Sequence, residues 1–325
     1  MRSRYLLLLC LSLLSVWAKE EDPKIPPGSG FLVDRLLLGR PFARIMQRWM
    51  TMGSVIATSS EARLTATLKG QSGGIWSRAP IGIDAFTIEA RLRIVAPSSP
   101  YADGVGIWLT ESMGQGEAYG NSPTFKGFGI VLDTYRNKWI SGMDSPFIAL
   151  VASNGTVPYS MDSEGSDHRL GECAIRGGSP VHIGKKAGVD DTVVIYIQSE
   201  PGKVTVHYRL PQSEPNEWKK CLEVNNIFIP NHFKLGVTAS TGDIVSEQDL
   251  LSLRVHDVPF EGRLQQSSEM KWDTPTTVET EEKKEPMGFR HFFFFLCAVV
   301  IVGALVVFIK PDLFGGVRDS NKRFY

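Results

Sequence analysis

Apolar and polar residues alternate from Phe86 to Ile94, where Phe86, Ile88, Ala90, Leu92 and Ile94 interleave with Thr87, Glu89, Arg91 and Arg93. A two-residue period sends the two sets to opposite faces of a strand, so this segment predicts a half-buried β-strand. The pattern returns in TVVIYIQSEPGKVTVHYRL (192–210), where Val193, Ile195 and Ile197 precede a Glu-Pro-Gly turn and Val204, Val206 and Tyr208 follow it. That arrangement predicts a hairpin. RLTATL, GVGIWLT, GFGIVLDTY, PFIALVAS and FKLGVTAS supply further strands, and no long segment between Leu64 and Ser240 carries a sustained helical period. Many short strands parted by turn residues over roughly 200 positions predict an all-β fold, an antiparallel two-sheet jelly-roll sandwich.

The two ends follow different patterns. Residues 1–18 place Arg2 and Arg4 before an apolar run that ends in Val16-Trp17-Ala18. The run is shorter than the ~20 residues a bilayer span needs, so a signal peptide cut after Ala18 is expected rather than an uncleaved anchor. Phe292 to Ile309 contains no charge, which predicts a membrane-spanning helix over 291–309. Lys310, Arg318, Lys322 and Arg323 outnumber Asp312 and Asp319 in the tail, 310–325, which places it in the cytosol. Between the strands and the span, 261–290 is polar and lacks a heptad repeat; it reads as a stalk. The expected organisation is a type I membrane protein with a luminal domain over 19–260.

Composition narrows the function classes. With 42% apolar residues in 325, the chain can fill a sizeable core. Its 35 basic and 35 acidic residues cancel, leaving no long-range field to gather nucleic acid. Cys10 lies in the signal and Cys297 in the span, which leaves Cys173 and Cys221 in an oxidising lumen. There a disulfide is expected rather than two free buried thiols. Asn154-Gly155-Thr156 is an N-glycosylation acceptor in a secretory chain.

One strand ends in candidate chemistry. In KGFGIVLDTYRNKW the apolar run from Phe128 gives way to Asp133, Tyr135 and Asn137 at every second position. Two carboxyl or amide oxygens and the Tyr135 carbonyl form a hard donor set that suits calcium, although Asp and Asn after a strand also serve as plain turn formers. A second stretch, YADGVGIWLT, sets Asp103 directly before another alternating strand.

ADG before an apolar strand, then LDTYRN some thirty residues on, resembles the L-type lectins, and within them the vesicular integral membrane lectins. RWMTMGSVIATSSEARLT, GGIWSRAPI, the two cysteines, GVTASTGDIVSEQDL and the KRFY tail extend the likeness over nearly the whole luminal domain. The resemblance implies a cargo receptor for high-mannose N-glycans on passenger glycoproteins, moving between endoplasmic reticulum, the intermediate compartment and Golgi. It implies that Asp103, after a peptide bond that can be cis, accepts hydrogen bonds from mannose. Asn137 and the loop Gly242-Asp243-Ile244 would complete the sugar pocket. Calcium would sit on Asp133, the Tyr135 carbonyl, Asn137 and Glu164, fixing the loop so that neutral hydroxyls meet donors already in place. Lys322, Arg323, Phe324 and Tyr325 resemble a trafficking signal read by vesicle coat proteins, and a sister receptor is a possible partner.

Two departures qualify the likeness. Members of the family carry His where this chain has Met161 and Asp where it has Glu164; they also carry Ser where it has Gly74. Methionine offers a sugar no useful hydrogen bond, and the extra methylene of Glu164 is expected to press on the loop. His168 replaces the missing contact only if the loop is rerouted. A pocket short of two hydrogen bonds motivates a second reading, a scaffold that binds protein surfaces without sugar or calcium. A glycoside hydrolase needs two carboxylates across the sugar, usually on one strand. Glu111 and Glu117 lie instead in a Gly-rich loop, so no enzyme is expected.

Overall fold

The structure is a computed structural model and describes residues 30–42, 47–135, 146–176, 179–183, 192–210 and 217–259. The predicted signal peptide, Asn137, stalk, span and tail lie outside these residues. The strands are β1 (Phe31–Leu32), β2 (Trp49–Gly53), β3 (Ile56–Ala57), β4 (Ala62–Thr65), β5 (Ser72–Pro80), β6 (Phe86–Ala96), β7 (Gly104–Thr110), β8 (Lys126–Asp133), β9 (Phe147–Asn154), β10 (Arg169–Ala174), β11 (Val181–Ile183), β12 (Thr192–Glu200), β13 (Lys203–Arg209), β14 (Lys219–Asn225), β15 (Lys234–Ser240) and β16 (Glu247–Asp257).

They form two sheets, as the alternation predicts. The larger runs β14-β13-β12-β6-β16-β4-β3, with β1 paired to β16 and β11 to β6. The smaller runs β10-β9-β8-β7-β15-β5-β2. Inward residues of the larger sheet, among them Ile88, Leu92, Ile195, Val206 and Leu253, share one buried cluster with Phe128, Ile130, Leu132, Ile107 and Val237 of the smaller. The alternation of β6 is visible in its burial: Glu89, Arg91 and Arg93 are half-buried while their apolar neighbours are buried.

The smaller sheet is buried on its outer face too, which hides its period from the sequence. Across it runs the row Met50, Trp76, Gly236, Trp108, Gly129, Val151. Each indole lies over a glycine of the next strand. A Cβ on Gly236 would stand 2.3 Å from Trp76, and one on Gly129 would stand 2.4 Å from Trp108. Two flat tryptophans fit on a sheet only where the neighbours have no side chain. They join Ala118, Tyr119, Phe125 and Tyr159, brought over from loops, in a second buried cluster.

Cys173 and Cys221 form the expected disulfide, with Cα atoms 5.2 Å apart. It ties β10 to β14, each the edge strand of its own sheet. The bridge closes a 48-residue separation, so replacing both cysteines by serine is expected to cost about 2–5 kcal/mol. Denaturant unfolding of the double variant checks this; a loss below about 1 kcal/mol would mean that packing alone holds these edges.

Candidate functional site

The outer face of the smaller sheet leads to the predicted residues. Beyond the tryptophans the next row is Met52, Gly74, Thr238, Gly106, Val131, Ala149, and the last is Ser72, Ser240, Gly104, Asp133, Phe147. Strand alternation therefore aims Asp133, Thr238 and Ser240 to the same side as Trp108.

Side-chain bonds connect that side. Trp108 Nε1 donates to Thr238 Oγ1 at 2.8 Å, and Thr238 Oγ1 donates to the Tyr119 carbonyl at 2.6 Å. Tyr119 holds a left-handed backbone with φ of 48°. Few tyrosines adopt it, and here it turns the phenol inward. Its hydroxyl donates to Asp133 Oδ2 at 2.5 Å, and the Tyr135 N–H donates to Asp133 Oδ1 at 2.8 Å. The carboxyl is 1% exposed. Burial pushes it up to about 7, with nearby Glu164 and Asp103 adding to the rise, while the bonds from Tyr119 and Tyr135 oppose it.

Glu164 is likewise 1% exposed, in a left-handed turn with φ of 51°. Its N–H donates to the Met161 carbonyl at 3.0 Å, and its carbonyl accepts from Arg169 Nη2 at 2.6 Å. Two buried acids that act on one another, beside a phenol and backbone oxygens, make a hard donor set in which a divalent cation would relieve the repulsion. Among the described residues no group of three or more acidic, histidine or cysteine side chains comes together to hold a metal ion.

Asp103 stands beside this cluster, after a cis Ala102–Asp103 bond. Every polar atom of its backbone is engaged: its N–H donates to the Ser240 carbonyl at 3.2 Å, and its carbonyl accepts from the Thr134 N–H at 2.9 Å and Thr134 Oγ1 at 3.0 Å. Its Oδ2 accepts from Ser240 Oγ at 3.0 Å, and the Gly242 N–H also bonds its carboxylate. Burial raises this carboxyl as well, against those two bonds. Gly242, Asp243 and half-buried Ile244 follow β15, with the Asp243 side chain 96% exposed and 3.3 Å from Lys69 Nζ.

Asp103, Asp133, Tyr135, Glu164, Gly242, Asp243 and Ile244 are all described; Asn137 is not. Met161 packs on the aromatic cluster. A Cβ on Gly74 would stand 2.9 Å from the Thr238 methyl, which fills the space a serine would use. The loop is not rerouted around His168, whose Nε2 is 3.0 Å from the Val157 carbonyl and whose ring lies 5.6 Å from that of Tyr159. The sequence reading missed Tyr119, Thr134, Ser240 and Thr238; strand parity at the C-terminal end of β15 was the available signal for the last two.

Residues 38–263 match the model of the legume-like lectin family. The chain belongs to that family. Mouse vesicular integral-membrane protein VIP36 is 26% identical to this legume-like lectin over 301 residues, covering 86% of the chain and 80% of the relative. Protein ERGIC-53 of Chlorocebus aethiops is 26% identical over 217 residues, 66% of this chain and 40% of that one. Among solved structures, the VIP36 exoplasmic/lumenal domain in its Ca2+/Man-bound form aligns with a TM-score of 0.64 at 24% identity, over 72% of this chain and 94% of that one. The legume lectin-like domain from Entamoeba histolytica aligns with a TM-score of 0.56 at 19% identity, covering 70% and 99%. These likenesses establish the fold of the lectin.

Proposed function

We propose that this legume-like lectin is a calcium-dependent receptor for high-mannose N-glycans on cargo glycoproteins travelling between endoplasmic reticulum and Golgi. One observation carries the reading: the buried Asp133, at the end of a strand of the smaller sheet, feels the charges of buried Glu164 and half-buried Asp103, and the Asp103 carboxylate is bonded by the Gly242 N–H. Asp133, the Tyr135 carbonyl, Asn137 and Glu164 would hold the calcium ion, which supplies charge to fix the loop. Asp103 would accept from sugar hydroxyls, with Asn137 and the Gly242 to Ile244 loop completing the pocket. The relative VIP36 has been solved in Ca2+/Man-bound form.

The rest of the chain fits that role. A signal peptide over 1–18, a span over 291–309 and a coat-read signal at Lys322 to Tyr325 would make it a single-pass type I membrane protein, with a sister receptor as its partner in transit. Glu111 lies 3.0 Å from Lys126, and Glu117 is exposed. Beads bearing high-mannose glycopeptide are expected to retain the full chain from detergent extract with calcium and to release it with chelator. Retention that ignores chelator and free mannose would favour the protein-binding scaffold, which the Met161 and Gly74 departures support.

Asn154 Oδ1 accepts from the Thr156 N–H at 2.9 Å and Thr156 Oγ1 at 2.6 Å at the end of β9. We propose that it carries a glycan. Endoglycosidase treatment is expected to shift the wild-type band and to leave Asn154→Gln unmoved; an equal shift in both would place the glycan elsewhere.

A further inference from the structure

Beneath the proposed pocket the core ceases to be apolar. Thr65, Ser246 and Gln248 are each 0% exposed, yet their side chains bond in a line that crosses from the larger sheet to the smaller. Gln248 Nε2, on β16, donates to the Ser240 carbonyl on β15 at 2.9 Å and to Thr65 Oγ1 on β4 at 3.1 Å. Thr65 Oγ1 donates to the Ser246 carbonyl at 3.1 Å, and Ser246 Oγ donates to the Ala102 carbonyl at 2.6 Å.

Both ends of the line reach the same peptide. The Ser240 carbonyl that takes Gln248 also takes the Asp103 N–H, and the Ser240 hydroxyl holds the Asp103 carboxylate. Ser246 holds the carbonyl on the other side of that peptide bond. The β16–β4 ladder shifts register between Gln248 and Asp249, so an irregularity of the sheet sits at the residue that reaches across. Bulges next to a site commonly re-aim a side chain.

We infer that Ser246 and Gln248 are positioning residues for sugar binding, holding the Ala102–Asp103 peptide and Ser240 so that the Asp103 carboxylate keeps its aim. Stability alone does not call for them. Apolar residues of the same shape would fill this space as well, because satisfied buried hydrogen bonds add little net stability. Gln248 Oε1 is moreover buried without a hydrogen-bond partner, a cost that persists because the flipped amide would set an oxygen against the Ser240 carbonyl. The inference rests on the reading of Asp103 as the mannose acceptor.

The test uses the full chain in detergent with calcium, and measures affinity for mannose oligosaccharide, affinity for calcium and thermal melting for each variant. Ser246→Ala, and Gln248→Glu, which keeps the shape and replaces the donor by an acceptor, are each expected to weaken mannose binding about tenfold. Calcium affinity is expected to stay within about twofold, and Ser246→Thr, which keeps the hydroxyl, to recover most of the sugar affinity. Mannose affinity within about twofold of wild type in both variants, while Asp103→Ala abolishes it, overturns the inference and leaves the role of Asp103 standing. Sugar and calcium affinity falling together with the melting temperature in both variants overturns it in favour of a structural role. Full binding by Asp103→Ala, or none by the unmodified chain, overturns the reading of Asp103 and this inference with it.

Discussion

Replacing Gly129 by alanine is expected to lower the unfolding free energy by about 3 kcal/mol and the melting temperature by about 6–12 °C. The new Cβ would stand 2.4 Å from the Trp108 ring, far inside contact distance. The ring has nowhere to go: it is fully buried, its edge packs against Phe125 with centroids 4.9 Å apart, and its Nε1 is held by Thr238. Tryptophan cannot give way at its tip as a flexible chain would, so the strain passes to the sheet. The damage is also expected to reach Asp133, because Thr238 bonds the Tyr119 carbonyl and Tyr119 bonds Asp133. Gly39, where an added Cβ meets nothing within 4 Å, is the control. Gly39→Ala should stay within about 0.5 kcal/mol of wild type. Equal melting temperatures for the two variants would show that the indole does not need its glycine slot.

Calcium affinity is expected to fall about tenfold for each unit of pH below about 7, tracking Asp133. The sign follows from linkage. An unfolded aspartate ionises near 3.9, whereas in the metal-free folded chain this one is raised to about 7. Between those values the folded state keeps a proton that the unfolded state has lost. The stability from this group is therefore fully present below about 4 and is lost as pH rises through about 7, at roughly 1.4 kcal/mol per unit at most. Calcium requires the ionised form and competes with that proton. Metal-free protein should melt higher at pH 5 than at pH 7.5, and calcium titrations should weaken over the same interval. Tyr119→Phe removes a donor to the ionised carboxyl and should move the break upward. Calcium affinity that is flat from pH 8 to 5.5 would contradict the assignment. On this reading the chain does not need a histidine at position 161 to release sugar as a route acidifies.

The legibility of this chain depended on how many faces of each element are buried. β6 and the β12–β13 hairpin cover a core on one side and carry Glu89, Arg91 and Gln198 on the other, so their period of two shows in the letters. β7 and β8 are buried on both sides, so GFGIVLD reads as an apolar run, and GVGIWLT shows its period only in Val105, Ile107 and Leu109. Two of their glycines, Gly106 and Gly129, leave room for Trp108. Asp103 and Asp133 were legible because each is an acid at the boundary of an apolar strand. Tyr119 was not, since it reaches Asp133 from a loop through a left-handed backbone that no local pattern announces. Gln248 and Ser246 left a weaker trace: polar letters just before and within an alternating strand, at positions that point inward.

The most direct measurement is a calorimetric titration of the full chain in detergent with a high-mannose oligosaccharide, with calcium, with chelator, and again with Asp103→Ala. Heat that appears with calcium and is lost in chelator and in the variant is the expected result. Equal heats in all three conditions, or no heat in any, would contradict a calcium-dependent mannose site built on Asp103 and Asp133.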